Sequence, residues 1–185
     1  MVRTVVHALL RFARETRASL TVEVVIVMPM LFWGFAASFV LFDMFRENSV
    51  NEKAAYTIGD MLSRETGFIT PEYMDNTLTL LSTLTGKPAS DLGIRVSVIR
   101  WDEEDDIYDL RWSQARGSVA AHDAQDVEDW EDVLPVMVDE EQIILVESFI
   151  GYDQVLNIGV DIATLDAFVF TRPRFAPQLV WDPNA

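Results

Sequence analysis

Apolar and polar positions divide this chain into three patterns. Residues 20–42 read LTVEVVIVMPMLFWGFAASFVLF, an apolar run broken by one charge, Glu23. Beyond it, Val50, Ala54, Ile58, Met61 and Leu62 recur at three- and four-residue spacing, one apolar stripe on a helix. Together these predict a single helix over 19–66, roughly 70 Å long at the standard rise, with Gly67 as its stop. A second helix is signalled by Thr70 as N-cap, Pro71 and Glu72 in the first turn, and a face of Met74, Leu78, Leu81 and Leu84. Gly86-Lys87-Pro88 ends it. After residue 90 the period changes to two. Strands are predicted at 94–101, 108–112, 142–150 and 165–171, the third continuously apolar and therefore central. Asp102 to Asp106 turns the chain between the first two. Prolines 173, 177 and 183 keep the tail extended, with a short edge strand at 179–181.

The expected fold is α+β. A long N-terminal transmembrane helix continues into a small head with a short helix and a mainly antiparallel sheet, packed on the stripe 50–62. In segments, 1–18 is a basic leader, 19–42 the span, 43–66 the helix continuation on the head, and 67–185 an extracytoplasmic head with acidic loops.

About 20 apolar residues cross a ~30 Å hydrocarbon layer as a helix, because every backbone polar group must be satisfied within the segment. The run 20–42 suffices. Arg3, Arg11, Arg14 and Arg17 precede it, opposed by Glu15 alone, while Asp43, Arg46, Glu47, Glu52 and Lys53 follow and roughly cancel. This asymmetry puts the N-terminus in the cytoplasm and the rest across the membrane. A cleaved secretory signal is the competing reading, but its apolar core would be 7–15 residues with a small-x-small site after it. Here Ala36-Ala37-Ser38 lies inside the run. A helix buried in a soluble core is the third reading, and the basic flank argues against it. In the leader, Val5, Val6, Leu9, Leu10 and Phe12 suggest a short amphipathic helix at the membrane surface. Pro29 removes one helical hydrogen bond and crowds the Val25 carbonyl, which predicts a kink, tolerated in membrane helices or used in packing.

Net charge is −16, with a pI near 4.3. Nucleic-acid binding needs a basic footprint, and this balance argues against it. There is no Cys, hence no disulfide and no thiolate site. The two histidines, His7 and His122, fall on opposite sides of the membrane in this topology. The acidic runs 102–106 and 123–141 lack the D-x-[DN]-x-[DN]-G-x₅-E loop of a Ca²⁺ site and read as solvated surface, with weak Ca²⁺ binding as the alternative. Carboxylates are plentiful for glycoside-hydrolase pairs, but no cleft is legible. Gly117-Ser118, Gly151 and Gly159 form no phosphate loop or nucleophile elbow. No catalytic residue, metal ligand or cofactor is assigned, and the chain reads as a non-enzyme. Trp112 lies in a strand pattern and is expected in the core. Trp130, amid Glu128, Asp129, Glu131 and Asp132, is expected to pack the acidic loop down, with an exposed contact as the alternative.

The segment RASLTVEVVIVMPMLFWGF has a basic leader, a small residue, four further residues and then Glu opening an apolar helix with an early proline, Pro29. It resembles the TadE/TadG-like pseudopilins of the tight-adherence (Tad, Flp) pilus system, a branch of the type IV pilin-like proteins. Ala18 stands where Gly is usual, and Val24 where an aromatic often follows the Glu. A weaker similarity is FVFTRPRF at 168–175, like the C-terminal strand of those proteins. The resemblance implies a pilin-like fold and a prepilin-peptidase cut between Ala18 and Ser19, leaving Glu23 as the fifth residue. It also implies assembly through helix packing at Glu23 and Pro29, with other pilin or pseudopilin subunits and the Tad machinery as partners. The place implied is the cytoplasmic membrane, single-pass, or the pilus. Cleavage would create an α-amine, with an ordinary pKa of about 7.7–8.0, as a cationic partner for Glu23. The rival reading is an unprocessed single-pass protein whose acidic extracytoplasmic head binds a partner or Ca²⁺. A membrane-tethered hydrolase using paired carboxylates is the enzyme-class rival.

Overall fold

The computed structural model describes residues 16–127, 130–159 and 163–184, with side chains from Thr21 onward except at Glu131. The leader's Arg3, Arg11, Arg14 and His7 and its apolar positions lie outside the described residues. In chain order the elements are α1 (Thr16–Ser63), α2 (Pro71–Thr85), a 3₁₀ turn (Ala89–Asp91), β1 (Leu92–Asp102), β2 (Ile107–Gly117), α3 (Ala124–Val127), a second 3₁₀ turn (Trp130–Asp132), β3 (Gln142–Gly151) and β4 (Thr164–Thr171). The chain forms two compact units. One is Met1–Asp43 with Gln154–Asp161; the other, the head, is Met44–Asp153 with Ile162–Ala185.

α1 is one helix of 48 residues, and its helical assignment continues across Pro29. By length and composition it is able to cross a membrane. Within the head, α1 buries Asn51, Ala54, Ala55, Ile58, Leu62 and Ser63. Val50 and Met61, assigned to the stripe from sequence, are only half-buried. The helix is turned so that small residues meet the sheet. A Cβ placed on Gly59 would lie 3.7 Å from Thr171 Cγ2 and 3.8 Å from Val169 Cγ1. α1 ends at Ser63, not at Thr66, and Gly67 is not its stop. The Arg174 N–H takes the Ser63 carbonyl at 2.8 Å, and the next two amides bond in 3₁₀ fashion to Met61 and Leu62.

α2 begins where a side-chain cap satisfies an orphan amide. Thr70 Oγ1 accepts from Tyr73 N–H at 3.1 Å, with Pro71 at the start of the helix. It ends at Gly86, whose φ of 71° is the left-handed conformation that glycine adopts without a Cβ penalty. Met74, Thr77 and Leu81 are its buried face.

The sheet has strand order β2-β1-β3-β4, every pair antiparallel. β1 and β3 are the central pair, which accounts for the continuous apolar run in β3. On one face Ile94, Val96, Val98, Ile144, Val146, Leu165, Ala167 and Val169 join Ala54, Ala55, Ile58, Leu62, Met74 and Leu81 in the main core. Each large aliphatic side chain buried there contributes about 1.5–3 kcal/mol. On the other face Ile99, Tyr108, Ile143 and Leu145 form a second cluster with Val127, Leu134 and Met137, so the segment predicted as solvated acidic surface also returns apolar residues to the sheet.

The β1–β2 ladder is longer than the sequence pattern indicates and is irregular. Val98 pairs with Trp112 and Ile99 with Leu110, leaving Arg111 as the extra residue. Period two alone would put Tyr108, Leu110 and Trp112 on one face. The bulge separates them: Trp112 packs against the main core, and Leu110 against the second cluster. Trp112 Nε1 donates to the Leu179 carbonyl at 2.8 Å. The edge strand expected at 179–181 is a single parallel bridge between Ile69 and Trp181.

Candidate functional site

The residues singled out from sequence lie on α1. Ala18 and Ser19 fall in its first turn; only their backbone is described. Glu23 is exposed, one helical turn beyond Ser19, and Pro29 is exposed within the same helix. Around them Val22, Val24, Val25, Ile26, Met28, Met30, Leu31, Phe32, Trp33 and Phe35 all present apolar surface. A helix apolar all round that does not bury its side chains within its own chain requires an apolar environment or neighbouring helices. In such surroundings an isolated carboxylate is costly, and a cationic partner relieves the cost. Ser38 Oγ donates back to the Gly34 carbonyl at 2.9 Å, so this hydroxyl is satisfied within the helix.

A second constellation, missed from sequence, lies on the back of the sheet. Arg95 of β1 and Glu147 of β3 are register partners. The guanidinium binds the carboxylate through both arms, Nε to Oε2 at 2.7 Å and Nη2 to Oε1 at 2.6 Å. His122 Nε2 closes on the same Oε2 at 2.8 Å. The side chains of Glu147 and His122 are 8% and 10% exposed, so the carboxylate meets Arg95 where water is largely excluded. The Arg95 guanidinium also donates to the Ala120 carbonyl at 3.1 Å and lies over the Phe149 ring. The His122 N–H donates to Ser113 Oγ, itself bonded to Ser97 Oγ. Trp130 stands edge-on to His122 and near Phe168. It therefore packs, as its first sequence reading has it. With both Glu147 oxygens engaged, the arrangement works as a clasp tying the chain after β2 to the sheet. His122 looked isolated in sequence because its partners stand on strands up to 27 residues away; the inward-facing Arg95 and Glu147 in period-two runs were the available signal.

The acidic runs build turns. Asp102 Oδ1 accepts from the amides of Glu104 and Asp105, Asp106 has a left-handed φ of 56°, and Asp139 Oδ1 accepts from the Glu103 amide. Arg100 gathers this end, reaching Glu140 at 2.7 Å and Asp102 and Asp109 at 3.2 Å each. Its hydrogen bond to Glu140 holds its pKa above the ordinary value. Asp126 is shifted below the ordinary carboxylate value by the Asp123 amide and then by His122. Tyr73 is pushed up to about 12 by burial and then by the charge of Glu65. Among the described residues no group of three or more His, Cys, Asp or Glu is arranged to hold a metal ion. An open hollow of about 230 Å³, lined by Arg111, Trp112, Gln142, Gln178, Leu179 and Trp181, is smaller than the roughly 300–1,000 Å³ usual for small-molecule sites.

Comparison with family models, with curated proteins and with solved structures gives no match to this chain.

Proposed function

We propose that the chain is a membrane-anchored pseudopilin or minor pilin of the Tad (Flp) type, working by helix packing in pilus assembly. Residues 19–42 of α1 span the cytoplasmic membrane, the N-terminus is cytoplasmic and the head lies on the far side. A prepilin peptidase cuts between Ala18 and Ser19, and the partners are other pilin-like subunits and the Tad machinery. The observation that carries this reading is Glu23, one carboxylate exposed on an otherwise apolar stretch of α1, four residues after Ser19. After cleavage the Ser19 amine and Glu23 are roughly 6 Å apart along the helix. They pair within one chain or between neighbours. Such a pair sets register more than it adds stability, because the chief cost lies in leaving either charge alone. The continuous helix leading into an α+β head with an antiparallel sheet supports the same reading.

The test is complementation. A strain lacking this chain loses its filaments, wild type restores them, and Glu23→Gln inserts normally but restores few. Filaments that persist without the chain would sink the proposal. Full restoration by Glu23→Gln would remove the ion pair and leave the pilin-like assignment standing.

The gathering of Asp102, Asp109 and Glu140 around Arg100 favours a second reading, an unprocessed single-pass protein with a partner-binding head. It differs in keeping its full leader.

A further inference from the structure

We propose that the loop between β3 and β4, around Val155 and Leu156, is a second membrane contact that dips into the lipid interface where α1 leaves the bilayer. The inference rests on the reading of residues 19–42 as a span.

Residues Gln154–Asp161 form one compact unit with Met1–Asp43, although they join two strands of the head. In the last apolar turn of the span Phe39, Leu41 and Phe42 are exposed, yet Val40 is only 4% exposed. Protein therefore covers one side of that turn, and this loop is the segment grouped with the helix up to Asp43. Val40 precedes the first charge after the span, Asp43, by three residues, about 4.5 Å of helix. That depth is the boundary between acyl chains and headgroups.

At this level the loop leaves Val155 and Leu156 exposed, with Ile158 half-buried. Val155 is 64% and Leu156 47% exposed. Residues 154–159 read QVLNIG and carry no charge, while Asp153 and Asp161 flank them in sequence. A short neutral apolar stretch suits the uncharged part of a bilayer interface. The adjoining Asp153 and the net charge of −16 repel anionic lipid. The occupant is the same bilayer that surrounds α1, reached by continuity with the exposed Phe39, Leu41 and Phe42. The contact would limit the tilt and rotation of the helix by adding a second anchoring point beside it.

The absence of cysteine makes single-site labelling direct. Full-length Leu156→Cys, Phe35→Cys and Asp105→Cys variants carry one nitroxide each in phosphatidylcholine vesicles, and relaxation by oxygen is compared with relaxation by a water-soluble nickel chelate. Phe35 lies mid-span and Asp105 on the exposed hairpin turn. The expected oxygen-to-nickel ratio at Leu156 is several-fold above that at Asp105 and below that at Phe35. It should not rise when anionic lipid is added to the vesicles. A Leu156 label as nickel-accessible as Asp105, with Phe35 in lipid, overturns the loop contact alone. A label shielded from both reagents points to a second copy covering the loop and also overturns it. A nickel-accessible Phe35 overturns the span and this inference with it.

Discussion

Replacing Asn51 by Ala should damage the head more than its modest side chain suggests. Asn51 is fully buried on α1 and bridges two strands. Its amide donates to the carbonyls of Ser148 on β3 at 3.2 Å and Leu165 on β4 at 3.3 Å, and its oxygen accepts from Ser148 Oγ at 2.7 Å. Three net hydrogen bonds at about 1 kcal/mol each give roughly 3 kcal/mol, and the stranded Ser148 hydroxyl adds about 1–3 kcal/mol. A total of about 4–6 kcal/mol corresponds to a fall in Tm of about 10–20 °C for a domain of this size. Urea denaturation of the full chain in detergent micelles, followed by tryptophan fluorescence, measures it. Ser148→Ala added to Asn51→Ala removes the stranded hydroxyl, so the double variant should lose about 1–2 kcal/mol less than the two single losses summed. A loss below about 1 kcal/mol for Asn51→Ala, or strict additivity, would refute the view that this network fixes the register of helix against sheet.

Gly59→Ala should stabilise the head by about 0.5–1 kcal/mol, since the added methyl finds only ordinary contacts and helix propensity improves; a lower urea midpoint would show the helix–sheet distance to be less tolerant. Glu147→Gln leaves Arg95 without its charge partner and should cost about 3 kcal/mol, with increased protease cleavage in the chain between β2 and β3; unchanged cleavage would mean that the clasp does not hold that segment. Asp126 has its folded pKa below the unfolded value of 3.8, so the folded form binds fewer protons between the two values. Its contribution is present above about pH 5 and is lost as pH falls through the folded value. The stability gap between wild type and Asp126→Asn should accordingly be flat near neutrality and shrink below about pH 4; a gap that widens on acidification has the wrong sign for this account.

Much of the fold was legible because several local signals coincide. Thr70, Pro71 and Gly86 each impose a backbone state, so α2 was bounded from sequence to its capping residues. The strands of the sheet followed from period two, and the central place of β3 from its unbroken apolar run. Other features depend on tertiary partners that leave no local mark. The bulge at Arg111 contains no glycine, and period two therefore put Leu110 and Trp112 on one face. Asn51 carries no mark in the sequence because its value comes from carbonyls about 100 residues away. α1 stops at Ser63 because Arg174 caps it, whereas the sequence offered only Gly67. At the candidate site, Glu23 and Pro29 stand out as a charge and a proline in an apolar run. The clasp of Arg95, Glu147 and His122 was hidden by sequence separation and by an acidic neighbourhood that made His122 look isolated.

The central claim, that α1 is a processed pilin-type helix, is tested most directly by the intact mass of this protein extracted from membranes of cells with and without their prepilin peptidase. The account predicts loss of residues 1–18 only where the peptidase is present, with Ser19 as the new N-terminus. The full-length mass in both strains would contradict it and leave an unprocessed membrane anchor in its place.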